Sequence, residues 1–172
     1  MKIIFLILFF VSPITLMAQD VVFPVDSATK KINYSEVISV NGKKSALFAK
    51  ALDWFALTFK SSNDVIQIKD LDSGKIIGKW SIFPFDAASG YVSCNIIMLV
   101  KDDKYKYSVT DLYYQGTSQY PGWSLEDDPG SFKVNMTKGS QRKLKRRTDE
   151  IVKNVIVTLK EAMNKSTKTE DF

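Results

Sequence analysis

Histidine is absent from the 172-residue sequence, and cysteine occurs once, as Cys94. The first absence excludes Ser-His-Asp and Cys-His nucleophile chemistry and His-ligated metal centres. The second excludes an internal disulfide and any CxxC site. After the N-terminal segment, no apolar run is long enough to span a bilayer. What is present is a chain 45% hydrophobic and 12% aromatic. That is ample for a packed core and too apolar for disorder, in a length that suits one domain.

The N-terminus has the order of a secretory signal peptide. Met1-Lys2 is a short positive start, Ile3 to Val11 is unbroken apolar, Ser12-Pro13 interrupts the run, and small Ala18 precedes Gln19. The stretch Ile3 to Ala18 is shorter than the roughly 20 residues a membrane span needs. Cleavage near Ala18-Gln19 is therefore expected, leaving a secreted or periplasmic protein. No cysteine stands at the cleavage position, which argues against an acyl-cysteine lipoprotein. An exported chain is expected to meet no nucleic acid and to need no cofactor. Cys94 lies in an apolar strand pattern and reads as a buried thiol.

Charge is unevenly spread. Residues 138–172 carry ten Lys/Arg against five Asp/Glu, while residues 19–137 carry thirteen against fourteen. The basic character belongs to the C-terminal segment, focused on Arg142, Lys143, Lys145, Arg146 and Arg147. Such a cluster either attracts phosphate-rich surfaces or forms a solvated helix face.

After a lead-in over 19–31, residues 32–40 are rich in β-branched and aromatic side chains and predict a strand. Asn41-Gly42 signals a turn, and Ser45 reads as a helix N-cap. Phe48, Ala51, Leu52, Phe55 and Phe59 keep helical spacing, widened by Leu47, Trp54 and Leu57. Four strands follow, over 65–69, 75–83, 91–101 and 104–113, joined by Asp72-Ser73-Gly74, the 84–90 loop and Asp102-Asp103. Short turns make neighbours antiparallel. Residues 114–139 form a long loop rich in Gly, Pro and Asp, with aromatics that predict partial packing on the domain. Leu144, Ile151, Val155, Leu159 and Ala162 predict a last helix over 141–165. Ser140 and Thr148 are alternative caps for its start. Residues 166–172 read as a frayed tail.

Strand, helix, four strands and helix make a single two-layer α+β domain over residues 32–165. Both helices carry an apolar stripe, so both should cover one face of the antiparallel sheet, leaving the other face solvated or free to bind.

Several stretches together carry a family likeness: Phe23-Pro24-Val25-Asp26, Ile32 to Val40, Ala49 to Phe55, Phe59 to Ser62, Asp64 to Gln67 and Ser73 to Trp80. Over roughly Phe23 to Tyr114 the chain resembles a bacterial secreted family known as a domain of unknown function with a TBP-like fold. The stretch Gly74-Lys75-Ile76-Ile77-Gly78-Lys79 is its most specific part. Trp80 stands where a small residue often follows that lysine. The resemblance implies a TBP-like fold in the same element order. It supplies no activity and no site residues, and fold does not imply DNA binding.

Gly74-x-x-x-Gly78-Lys79 is one residue short of a phosphate loop, lacks the Ser/Thr after its lysine, and lies in a hairpin. Gly74 instead suits a positive-φ turn, and Gly78 suits a bulge or a close backbone approach. Glu126-Asp127-Asp128 lacks the alternating ligands of a calcium loop. Glu36 and Asp111 are candidate carboxylates for hydrolysis only if they face one another across a cleft. The aromatic set Tyr105, Tyr107, Tyr113, Tyr114, Tyr120 and Trp123 is either a stacking platform or core.

No catalytic or metal-binding residues are assigned on these grounds. The candidate binding residues are Tyr113, Tyr114, Tyr120 and Trp123 of the last strand and loop, with Arg142, Lys143, Arg146 and Arg147 of the basic helix start. The expected function is an exported, non-enzymatic binding module. Its surface would be the exposed sheet face, the aromatic loop or the basic helix start. Its partner would be an envelope glycan, an anionic lipid or another exported protein. The alternative is a metal-independent carboxylate hydrolase of cell-envelope polymers.

Overall fold

Alternating apolar residues along the strands build one side of a sheet that two amphipathic helices cover. The computed structural model describes residues 20–59, 61–85 and 89–165. The leader over 1–18, its cleavage point and the 166–172 tail lie outside the described residues. The elements are β1 (Asn33–Ser39), α1 (Lys44–Thr58), α2 (Ser62–Val65), β2 (Ile66–Asp70), β3 (Lys75–Ile82), β4 (Val92–Lys101), β5 (Lys104–Tyr114), β6 (Trp123–Ser124), α3 (Ser131–Val134) and α4 (Lys138–Asn164). The antiparallel sheet runs β1-β5-β4-β3-β2, and β6 pairs with the end of β5.

Strand parity decides which residues meet the helices. Tyr34, Ile76, Ile82, Val92, Cys94, Ile96, Met98, Val100, Tyr105, Tyr107 and Val109 are buried on one side. Leu47, Phe48, Ala51, Trp54 and Phe55 of α1 pack there, with Leu144, Val152, Leu159 and Met163 of α4. The two helices are tied together where Trp54 Nε1 donates to Thr158 Oγ1 at 3.1 Å. The expected arrangement, with both helices on one face, is thus observed.

The helix ends differ from expectation. Ser45 does not cap α1. The cap residue is Lys43, which makes no side-chain cap bond. Instead Asp102 Oδ1 accepts from Lys44 N at 2.7 Å and Asp103 Oδ1 accepts from Gly42 N at 3.0 Å. Carboxylates of the β4–β5 turn therefore satisfy an orphan donor and sit at the positive end of the helix dipole. Helix α4 begins at Lys138, three residues before the expected start, and Thr137 caps it by accepting from Ser140 N. Thr148 is fully buried mid-helix. Its neighbour Asp149 accepts from the Tyr34 hydroxyl at 2.7 Å and pairs with Lys153 at 2.8 Å.

A bulge in β5 reverses its parity. Ser93 pairs with Tyr113, but Asn95 pairs with Thr110, so β5 carries one extra residue at Asp111-Leu112. Asp111 takes φ +56°, a left-handed conformation that Asp tolerates better than most residues. The reversal turns Leu112 and Tyr114 inward and leaves Tyr113 outside. Within the 114–139 segment, β6, α3, Leu125 and Val134 pack on the domain.

Candidate functional site

With both helices on one side, the other side of the sheet has no layer over it among the described residues. Its side chains are the opposite-parity residues, and the register aligns them in rows across the strands. One row runs Ile68, Ile77, Ile97, Ser108, Ser35. It carries no charge, and Ser108 donates to Ser35 at 3.1 Å. The row on one flank runs Asp70, Lys75, Leu99, Lys106, Val37. The row on the other flank runs Lys79, Asn95, Thr110, Asn33. Beyond Leu99, Lys101 pairs with Lys104. Val37 is 61% exposed, Ile68 45% and Leu99 39%, a high exposure for aliphatic side chains in a sheet.

Lys75, Lys79, Lys101, Lys104 and Lys106 make no side-chain ion pair or hydrogen bond among the described residues. The carboxylates near them are occupied. Asp70 accepts from Asp72 N, Ser73 N and Ser73 Oγ in its own turn. Asp26 accepts from Ala28 N, Thr29 N and Thr29 Oγ1, and Lys106 adds a weaker attraction. Asp111 binds Lys31 Nζ at 2.8 Å and Asn95 Nδ2 at 3.0 Å. The face therefore carries an uncharged strip of isoleucines and serines, with Lys75, Leu99, Lys106 and Val37 on one flank and Lys79 among neutral polar residues on the other. A depression of about 270 Å³ lies at one end, lined by Val37, Leu99, Lys101, Lys104, Tyr105 and Lys106.

The aromatic and basic residues singled out from the sequence divide between core and surface. Tyr114 and Trp123 are buried, at 1% and 4% exposure, so neither is a stacking surface. Tyr114 donates to Ser89 O at 2.7 Å, and its ring lies 6.3 Å from that of Trp123. The inward turn of Tyr114 follows from the β5 bulge. Tyr105 and Tyr107 are likewise core, their hydroxyls pushed up to about 12 chiefly by burial. Tyr113 alone of the set stands on the open face, 41% exposed.

The basic cluster splits. Arg147 stacks on Phe85 with 5.0 Å to the ring centre and donates to Pro84 O at 2.9 Å. Lys143 lies 5.7 Å from the same ring. Lys145 donates to Asp127 O and covers Trp123. Arg142 approaches Asp20 at 3.8 Å, and Arg146 remains exposed. Tyr114, Tyr120 and Lys143 do meet, in a depression of about 310 Å³ with Phe85 and Met136. Trp123 packs against Tyr114 and Arg147 against Phe85 at its edge, whereas Tyr113, Arg142 and Arg146 do not line it.

The carboxylate pair does not form. Glu36 points to the helix side, where Lys160 and then Tyr107 bind it and hold its carboxyl below the usual range. Asp111 leans to the open side, where Lys31 does the same. Two carboxylates on opposite sides of one sheet cannot flank a single scissile bond. Glu126 accepts from Ile32 N, and Asp128 pairs with Lys138. Among the described residues no group of His, Cys, Asp or Glu is placed to hold a metal ion.

Sequence reasoning missed the face lysines and the isoleucine row. Their signal was parity: Lys104 and Lys106 alternate with Tyr105 and Tyr107, as Lys75 and Lys79 alternate with Ile76 and Gly78. Once one parity is core, the other names the open face.

Residues 34–115 match a family described as a domain of unknown function (DUF4468) with TBP-like fold. Two crystal structures share the architecture. A TBP-like protein from Parabacteroides distasonis is 18% identical, with a TM-score of 0.61, over 79% of this chain and 94% of its own. A DUF4468 family protein from Bacteroides ovatus is 17% identical, with a TM-score of 0.59, over 84% of this chain and 92% of its own. At these identities the likeness is one of fold. None of the curated proteins matches the chain.

Proposed function

We propose, from the premise that residues 34–115 belong to the DUF4468 family with a TBP-like fold, that this protein is an exported, non-enzymatic binding module whose contact surface is the open sheet face. One observation carries the reading. Lys75, Lys79, Lys101, Lys104 and Lys106, which make no side-chain hydrogen bond or ion pair among the described residues, stand with exposed Val37, Ile68 and Leu99 on the side of the sheet that neither long helix covers. Unpaired cations beside exposed aliphatics favour a ligand that is both anionic and apolar. The N-terminal sequence supports export, as an expectation. In the basic helix start, Arg147 and Lys143 lie over Phe85 and Lys145 covers Trp123, so part of that charge is taken up in packing.

The test is an array of envelope glycans, anionic lipids and acidic peptides, probed with the purified processed chain. The expected result is binding to at least one anionic class that is lost in Lys75→Glu/Lys106→Glu. Binding unaltered by that variant, no binding at all, or hydrolysis of an arrayed polymer would overturn the reading.

A further inference from the structure

The depression where Tyr114, Tyr120 and Lys143 meet lies on the side of the sheet that the helices cover, apart from the open face, and its walls are held in place. Tyr114 forms the back. Its hydroxyl donates to Ser89 O at 2.7 Å, and a Cβ at Gly90 would come within 2.9 Å of that hydroxyl oxygen. Glycine, here at φ +80°, lets the backbone pass so close. Tyr120 N donates to Thr117 Oγ1 at 3.1 Å, and Asn135 Nδ2 donates to Gln119 O at 3.0 Å, so two walls of the depression are tied to each other. At about 310 Å³ it stands at the small end of the range of ligand pockets, which suits a small molecule and not a polymer.

What the walls present is selective. Phe85, Tyr120 and Met136 supply apolar surface. The polar groups left for a ligand are donors. Thr137 Oγ1 donates to Ser140 Oγ at 3.0 Å, which leaves the Ser140 proton for a further partner. Lys143 makes no hydrogen bond or ion pair among the described residues, and its ammonium lies 5.7 Å from the Phe85 ring centre. Arg147, one turn further along α4, lies 5.0 Å from the same ring centre and has no carboxylate partner either. Like charges at i and i+4 repel, and no acid stands in the first turn of α4 to offset them. An anion held beside Phe85 relieves that repulsion. We infer that this depression is a second binding site, for a small organic oxyanion with a flat apolar body. Lys143 and Ser140 hold the carboxylate or phosphate head, and Phe85, Tyr120 and Met136 receive the body. The site uses none of the residues of the open face.

The probes are benzoate and phenyl phosphate, titrated into the ¹⁵N-labelled processed chain and followed by amide shifts, with inorganic phosphate and benzyl alcohol as head and body alone. At least one of the two complete probes should move the signals of Tyr120, Ser140 and Lys143, and the stronger of the pair identifies the head group. It should bind about tenfold or more tightly than inorganic phosphate or benzyl alcohol. Lys143→Gln should weaken it about tenfold, the order of one charge-assisted hydrogen bond. Lys43→Gln removes the same charge at the opposite end of β5 and should leave it unchanged, as should Lys75→Glu/Lys106→Glu on the open face. Circular dichroism confirms that each variant is folded, and Ser140→Ala gives a second, milder loss if Lys143→Gln does not fold. Absence of binding by both complete probes would overturn the site. So would inorganic phosphate binding equally well, equal losses in Lys143→Gln and Lys43→Gln, or shifts confined to residues outside the depression.

Discussion

Adding a single methyl group at Gly78 tests how the sheet and the first helix fit. A Cβ there would lie 2.7 Å from Phe55 Cε1, 3.4 Å from Phe55 Cζ and 3.2 Å from Val65 Cγ1. Carbon atoms in contact normally sit about 3.5–4.0 Å apart, so the overlap approaches about 1 Å. Phe55 is fully buried, with Trp54 at 4.9 Å and Phe59 at 5.7 Å between ring centres, and its ring has nowhere to swing. Overpacking of this kind costs about 1–3 kcal/mol. Replacing Gly by Ala inside a strand returns about 0.5–1 kcal/mol. Gly78→Ala should therefore lose about 1 kcal/mol and at most about 2.5 kcal/mol, with about 2–4 °C in Tm for each kcal/mol in a domain of this size. Urea and thermal unfolding followed by circular dichroism measure it. Phe55→Leu supplies the matching half of a cycle. The double variant should be more stable than the two separate losses imply, by at least about 0.5 kcal/mol. Gly78→Ala equal to or above the parent in stability would refute the close approach, and additive losses would show that Phe55 is not the obstacle.

Three further outcomes follow from the same contacts. Asp102→Ala removes the long-range acceptor of Lys44 N and should cost about 1 kcal/mol in urea unfolding, a typical capping loss; an unchanged midpoint would mean that water replaces it fully. Asp111 has a folded pKa held below its ordinary value by Lys31. Its stabilising contribution is therefore present above the ordinary value of about 3.9 and fades as pH falls through the lowered folded value. In Lys31→Ala the Asp111 carboxyl should titrate at higher pH by NMR, and an unmoved curve contradicts the pairing. The Cys94 thiol is pushed up to about 12 by burial. It should resist a thiol reagent at pH 8 until the protein is unfolded, and rapid labelling of the native chain would place it at the surface.

Much of this fold is legible in the order of residues. Helical spacing from Phe48 to Phe59 and from Leu144 to Ala162 fixes two amphipathic helices, because each must bury one stripe. Short turns at Asp72-Ser73-Gly74 and Asp102-Asp103 fix antiparallel neighbours. Those periodicities are local properties of the chain. The alternation along each strand is local as well, and it reaches Lys104, Lys106, Lys75 and Lys79 once one set of alternating residues is known to be core.

What required the tertiary structure is everything set by residues far apart in sequence. The α1 cap comes from Asp102, 58 residues beyond Lys44. The Tyr34 hydroxyl meets Asp149 across a separation of 115 residues. One extra residue at Asp111-Leu112 turns Tyr114 into core and Tyr113 outward, and no propensity announces a one-residue shift in pairing. Glu36 and Asp111, both plausible as partners on paper, were parted by the sheet between them. Spacing along the chain dictates which side chains share a face, and only packing dictates which face is left uncovered.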